Sequence, residues 1–160
     1  MTDATDKASL DALRAELAIA NRILVSQGVL DAFGHVSVRH PARADRFLLA
    51  RNMAPASVTA TDVLEFDLDG NAVASGAPKP YLERFIHGEI FRARADVMAV
   101  VHTHSPAVIP FSVVRQAPLR AVSHMGSFLG EATPVFEIRD TAGDASDMLI
   151  RDNALGRALT

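Results

Sequence analysis

With 160 residues, 49% of them hydrophobic and 22% charged, the chain is long enough to enclose one core but short for two. A net charge of −3 offers no basic field to nucleic acid, and the absence of cysteine excludes disulfides and thiolate metal sites, so any metal must be held by nitrogen and oxygen. No apolar run reaches the roughly 20 residues of a membrane span and no apolar signal segment opens the chain, so a soluble, cytoplasmic protein without membrane contact is expected.

Ser9 is placed to cap a first helix in which Leu10, Leu13, Leu17, Ala20 and Leu24 recur at helical spacing, with Gly28 as its stop. The alternating, β-branched run His35–Arg39 predicts a strand, and "RFLLA" at 46–50 a second. "RNMAPAS" reads as a loop, and Thr59 with Asp62 as a capping box opening one helical turn. "VLEFDLDGNAVAS" predicts two strands around an Asp69-Gly70 turn. "SGAPKP" then leads into a helix from Tyr81 to Arg94, with Leu82, Phe85, Ile86, Ile90 and Ala93 as its buried face. "VMAVVHTH" predicts a strand, "LRAVSHMGSF" and "TPVFEI" two more, and residues 142–159 a helix. There is no repeat or linker, and the order suggests one sheet covered by helices.

Residues two apart on a strand project to the same side, so His102 and His104 point together from a chain separation of roughly 6–7 Å. Such a pair suits one divalent ion, and equally suits two hydrogen-bonded histidines at a strand end. Glu83, in the first turn of the preceding helix, is either a dipole-favoured surface residue or a proton carrier beside a metal; His87 lies four residues on. His35 opens a strand after a glycine, while Arg51 and His124 sit where strands are expected to become loops, a common place for ligand-reading groups. His40, before Pro41, reads as a surface residue.

The stretches "GHVSVR" (34–39) and "YLERFIHGEIFRARADVMAVVHTHSP" (81–106) together resemble the class II aldolase/adducin family. The second combines a helix-start glutamate, a histidine four residues on and a His-x-His nineteen residues after the glutamate; the hairpin "DVLEFDLDGN" also matches. The resemblance implies a three-layer α/β/α fold with a central, mostly antiparallel sheet, assembled as homotetramers with active sites near subunit interfaces. It further implies that His102 and His104 are two of three histidine ligands of a divalent metal, zinc or alternatively manganese, and that Glu83 is the catalytic acid/base. The metal would act as a Lewis acid, stabilising an enolate.

Three features depart from the sugar-phosphate aldolases of the family. Tyr81 and Leu82 replace a phosphate-binding Ser-Ser pair, "ARNMAPAS" replaces a second phosphate loop, and His35 replaces an asparagine. These changes resemble a decarboxylase branch acting on hydroxylated aromatic or pyridine carboxylates, with His35, Ser37, Arg51 and Tyr81 as substrate contacts. Arg51 would suit a carboxylate through paired hydrogen bonds. A sugar-phosphate aldolase or epimerase is the alternative, disfavoured by the missing serines; an adducin-like binding module or inactive fragment is a third reading, disfavoured by the retained His102, His104 and Glu83. The family's third histidine lies on a strand after the last helix seen here. Residues 1–160 are therefore expected to form a single domain lacking that strand and the C-terminal helices, with His124 as a fallback ligand.

Overall fold

The structure, a computed structural model, describes residues 2–114, 116–131 and 133–160, with side chains in the first helix from residue 7 onward. Helix α1 (Thr2–Ser26) begins seven residues before the predicted cap at Ser9. No proline or glycine interrupts 2–26, and a Lys7–Asp11 ion pair spans the turn that Ser9 was expected to open. Gly28 ends the helix with a positive φ of 68°, which a residue bearing a Cβ adopts only at a cost.

Strands β1 (His35–Arg39), β2 (Arg46–Ala50) and β3 (Val63–Asp67) form where the sequence predicts them, and β4 is Ala99–His102. They make one antiparallel sheet in the order β3-β2-β1-β4. Thr59 and Asp62 form the predicted capping box of a one-turn helix. After Asp69-Gly70 the returning strand shrinks to a bridge between Phe66 and Ala72. Farther on, Pro80 forms an isolated bridge with Arg51.

Helix α2 (Arg84–Ala93) lies across the sheet face that carries His35, Ser37 and Arg39, while α1 packs on β1 and β3 from the other side. The layers enclose Leu17, Ala18, Val36, Phe47, Leu48, Leu49, Phe66 and Phe91. The buried face of α2 departs from the prediction: Ile86, His87, Gly88, Glu89 and Phe91 are buried, whereas Leu82 and Ala93 are exposed. The cause is that α2 is enclosed on two sides, by the sheet and by a C-terminal helix α5 (Asn153–Leu159). Gly88 lets α2 approach the turn after β3, because a Cβ there would lie 2.4 Å from the Leu68 carbonyl oxygen. Buried Glu89 meets Arg92 and Arg157 at 3.3 Å, tying α2 to α5.

The predicted strands at 119–128 and 133–138 do not form. Residues 109–113 make a short helix α3, residues 124–129 a 3-10 helix and residues 139–142 a helix α4. β-Branched residues favour a strand only against a surface to pair with; here Val122 is 94% exposed, and Pro118 and Pro134 lack donors. Phe136 and Ile138 instead pack on Ile86 and Ile150. Of the helix predicted over 142–159 only α5 forms, preceded by Gly143 at φ 78° and an irregular 144–152, with Asp152 capping α5. His40 is not on the surface: its side chain is 10% exposed and sits 3.9 Å from Glu65. Among the described residues, no helix is long and apolar enough to cross a membrane.

Arg39 closes the frame. Its guanidinium donates to the carbonyls of Phe91 (2.7 Å) and Arg94 (2.8 Å) at the end of α2, to Val97 (3.0 Å) in the turn before β4, and to Ala44 (3.2 Å). It also lies 4.9 Å over the Phe91 ring. Cations suit a helix C-terminus, where carbonyls lack intrahelical donors. Arg39→Met is expected to lower unfolding free energy by about 3 kcal/mol, since these acceptors lose a charged donor; urea unfolding followed by circular dichroism measures it, and a loss well under 1 kcal/mol would contradict the clamp.

Candidate metal centre and active-site cleft

The histidine strand ends beside the start of the helix that precedes it. Helix α2 rises about 15 Å over its ten residues, and the extended return through β4 covers a similar distance. Glu83 and His102, nineteen residues apart in sequence, therefore meet, with Glu83 Oε2 3.8 Å from His102 Nδ1. Glu83 stands at the N-cap of α2, not in its first turn, and its side chain does not cap its own helix. Its Oε1 accepts the backbone N–H of Ile150 at 3.1 Å, which leaves Oε2 directed at the histidine.

His104 joins them. One ligand atom each from Glu83, His102 and His104 all lie within 4.8 Å of one another, the one such cluster of three among the described residues. His104 Nδ1 bonds Asp31 Oδ2 at 3.1 Å, while His102 Nδ1 is buried without a hydrogen-bond partner. Burial holds the His102 pKa below the usual imidazole value, partly offset by the Glu83 charge. These are the donors a divalent cation needs: at zinc–ligand distances of 2.0–2.2 Å, tetrahedral donors stand about 3.4 Å apart, within reach of side-chain adjustment here. The residues fit such an ion. His124 begins the 3-10 helix at 124–129, is exposed, and takes no part in the cluster.

Behind the cluster lies a column of rings. His35 stacks on Tyr81 with centroids 4.2 Å apart, tilts against His87 at 4.8 Å and meets His102 edge-on at 4.9 Å. The His35 Nδ1–H donates to the Phe33 carbonyl at 3.0 Å, and burial pushes its pKa down to about 4. His87 is fully buried, bonded through Nδ1 to Ser37 Oγ at 2.6 Å, and burial also holds it well below its ordinary pKa. It thus faces the sheet, away from Glu83. The Tyr81 hydroxyl donates to the Met53 carbonyl.

A cleft of about 310 Å³ opens over this wall, lined by Phe33, His35, Asn52, Tyr81, Leu82, Glu83, His104 and Leu149. A second, apolar hollow of about 580 Å³ runs along β4 and α2 from Glu83 and His102 toward Ile138 and Leu159. Of the predicted substrate contacts, His35 and Tyr81 reach the cleft. Ser37 does not, because it is fully buried with its hydroxyl committed to His87. Arg51 is turned away into a 2.8 Å bond with Asp62 and does not line the cleft. Sequence reasoning missed Phe33, Asn52, Leu149, Ile150 and Asp31. Asp31 alone had a signal, since Asp followed by a glycine three residues on suits a turn closed by the aspartate side chain.

A carboxylate and two histidines able to hold a metal ion thus gather at the end of an antiparallel sheet in an α/β protein, beside a substrate-sized cleft. Residues 15–157 match the family described as the Class II Aldolase and Adducin N-terminal domain, and the chain belongs to that family. It is 39% identical over 141 residues to the decarboxylase tropJ of Talaromyces stipitatus, covering 86% of this chain and 53% of that protein. It is 37% identical over 109 residues to 3,4-dihydroxyphthalate decarboxylase of Arthrobacter keyseri, covering 60% and 42%. The chain thus spans about half the length of these curated relatives. The L-fuculose 1-phosphate aldolase structure from Glaciozyma antarctica PI12 shares the fold, with a TM-score of 0.68 at 24% identity over 96% of this chain and 65% of that one. The family's three-layer α/β/α architecture is the one observed, with helices on both faces of the antiparallel sheet.

The depressed His35 pKa makes stability depend on pH in a definite direction. Between about pH 6.5 and 4 the unfolded chain carries a proton on His35 that the folded chain lacks, so stability falls as pH falls through this window. From pH 7.5 to 5, His35 is expected to cost the metal-free protein about 2 kcal/mol. Urea unfolding of wild type and His35→Phe at both pH values checks it; equal pH losses in the two proteins would contradict the assignment.

Proposed function

We propose that this protein is a divalent-metal-dependent carbon–carbon lyase that decarboxylates a hydroxylated aromatic carboxylate, with Glu83 as the acid/base. The observation that carries the reading is the meeting of Glu83, His102 and His104, of which Glu83 and His104 line a cleft walled by Tyr81, Leu82 and Phe33. Such walls suit a planar ring, and among the described residues no lysine or arginine lines the cleft to hold a phosphate. The two decarboxylase relatives support the same reaction class.

A divalent ion held by His102 and His104, zinc or alternatively manganese, would supply Lewis acidity at a substrate oxygen. In this reading the bond between the ring carbon and its carboxylate breaks, the electron pair stays on the ring, and carbon dioxide leaves. Glu83 then delivers a proton to that carbon. Its Oε1 is occupied by the Ile150 N–H, so Oε2 is the oxygen that carries the proton. His35 and Tyr81 form the wall against which the ring lies. Ser37 holds His87, whose ring packs behind His35, and Arg51 must release Asp62 before it can meet a substrate carboxylate. Homotetrameric assembly accompanies this reading, supported by the exposed apolar side chains of Val113, Val122, Met125 and Phe128.

Purified protein is expected to retain a divalent metal that the double variant His102→Ala/His104→Ala lacks, measured by elemental analysis. With 3,4-dihydroxyphthalate and related hydroxybenzoates as probes, Glu83→Gln should keep its metal yet release carbon dioxide at least about 10²-fold more slowly. Equal metal in the wild type and double variant, or cleavage of a phosphorylated sugar with no carbon dioxide released from any hydroxybenzoate, would overturn the proposal.

A further inference from the structure

We infer that Asp31 is a positioning residue of the metal centre, one carboxylate that sets both the ligating nitrogen of His104 and the turn forming one wall of the cleft; the inference rests on the metal-dependent reading above. Asp31 Oδ1 accepts the backbone N–H groups of Phe33 at 2.9 Å and Gly34 at 2.8 Å. These two bonds fix the carboxylate although it is partly exposed, and they aim Oδ2 at His104 Nδ1, 3.1 Å away. A carboxylate only accepts, so it selects the His104 tautomer protonated at Nδ1 and leaves Nε2 with its lone pair for a cation. The strand end is pinned to the same loop by the Thr103 hydroxyl, which donates to the Val29 carbonyl. The turn acts on the cleft as well: the Phe33 carbonyl receives the His35 Nδ1–H, and Phe33 and His35 both line it. The tautomer of one ligand and the orientation of the ring wall are thus set together.

Asp31→Asn separates the two duties. Its amide oxygen can still accept from Phe33 and Gly34, but its NH₂ then faces His104 Nδ1 and favours the tautomer protonated at Nε2, which cannot ligate through that atom. Metal-free wild type and Asp31→Asn are titrated with Co²⁺ alone, with affinity read from its visible absorption against a competing chelator. Histidine tautomers are read by long-range ¹H–¹⁵N NMR at pH 8. The expected result is a 10–100-fold weaker Co²⁺ affinity in Asp31→Asn, with His104 moving from Nδ1–H to Nε2–H. A folding role alone would not produce that change of tautomer. Wild-type affinity in Asp31→Asn, or an Nε2–H His104 in the wild-type protein itself, would overturn the assignment; the wild-type measurement decides even if the variant does not fold. Failure of the wild-type protein to bind Co²⁺ would instead overturn the metal reading, and the role given to Asp31 with it.

Discussion

The geometry of the site depends on where α2 ends. Arg39, buried on β1, gathers carbonyls from the last turn of that helix and from the turn leading into β4. A helix end left uncapped in this position would fray and change where the next strand starts. With Arg39 in place, the helix and its following strand are held at matched lengths. That match is why a glutamate before the helix faces a histidine at the strand's end. The guanidinium lies at the far end of α2 from Glu83 and ties that end to the turn leading into the histidine strand.

The cluster also depends on segments remote in sequence. Glu83 is aimed by a backbone N–H from Ile150, and Ile150 is held by its packing on Ile86 and Ile138. Buried Glu89, between Arg92 and Arg157, anchors α5 onto α2 just beyond that segment. Polar groups at the site are thus oriented from outside by apolar contacts and by the ion pairs that two surface arginines make to buried Glu89. The histidines are prepared differently: His35 and His87 are kept neutral by burial, so the ring column behind the cleft carries little positive charge of its own near neutral pH.

The elements legible in the sequence were those whose signal is local. Alternation marked β1, the Thr59–Asp62 capping box marked its turn, and the His-x-His spacing marked two of the three cluster members. Misreadings arose where tertiary context decided. Val122 and Val135 have strand-like neighbours in sequence but no surface to pair with, and both are exposed. His87 and Glu89 look like the polar face of a helix, yet they are buried because α2 has packing partners on two sides. Arg51 reads as a ligand contact until Asp62, eleven residues on, is found to hold it. Asp31 and Ile150 carry no distinctive spacing relative to the residues they serve, because their partners lie 73 and 67 positions away.

Those separations bear on how the molecule acquires its site. Contacts spanning about seventy residues require closure of long loops, an entropic cost that folding meets only after local hairpins and helices exist. The β1–β2–β3 meander can pair early, from neighbouring segments. The bonds from Asp31 to His104 and from Ile150 to Glu83 come together late, and the second involves a residue near the C-terminal end of the described chain. On the ribosome, most of the sheet can therefore be assembled before the carboxylate at its edge has been given its direction.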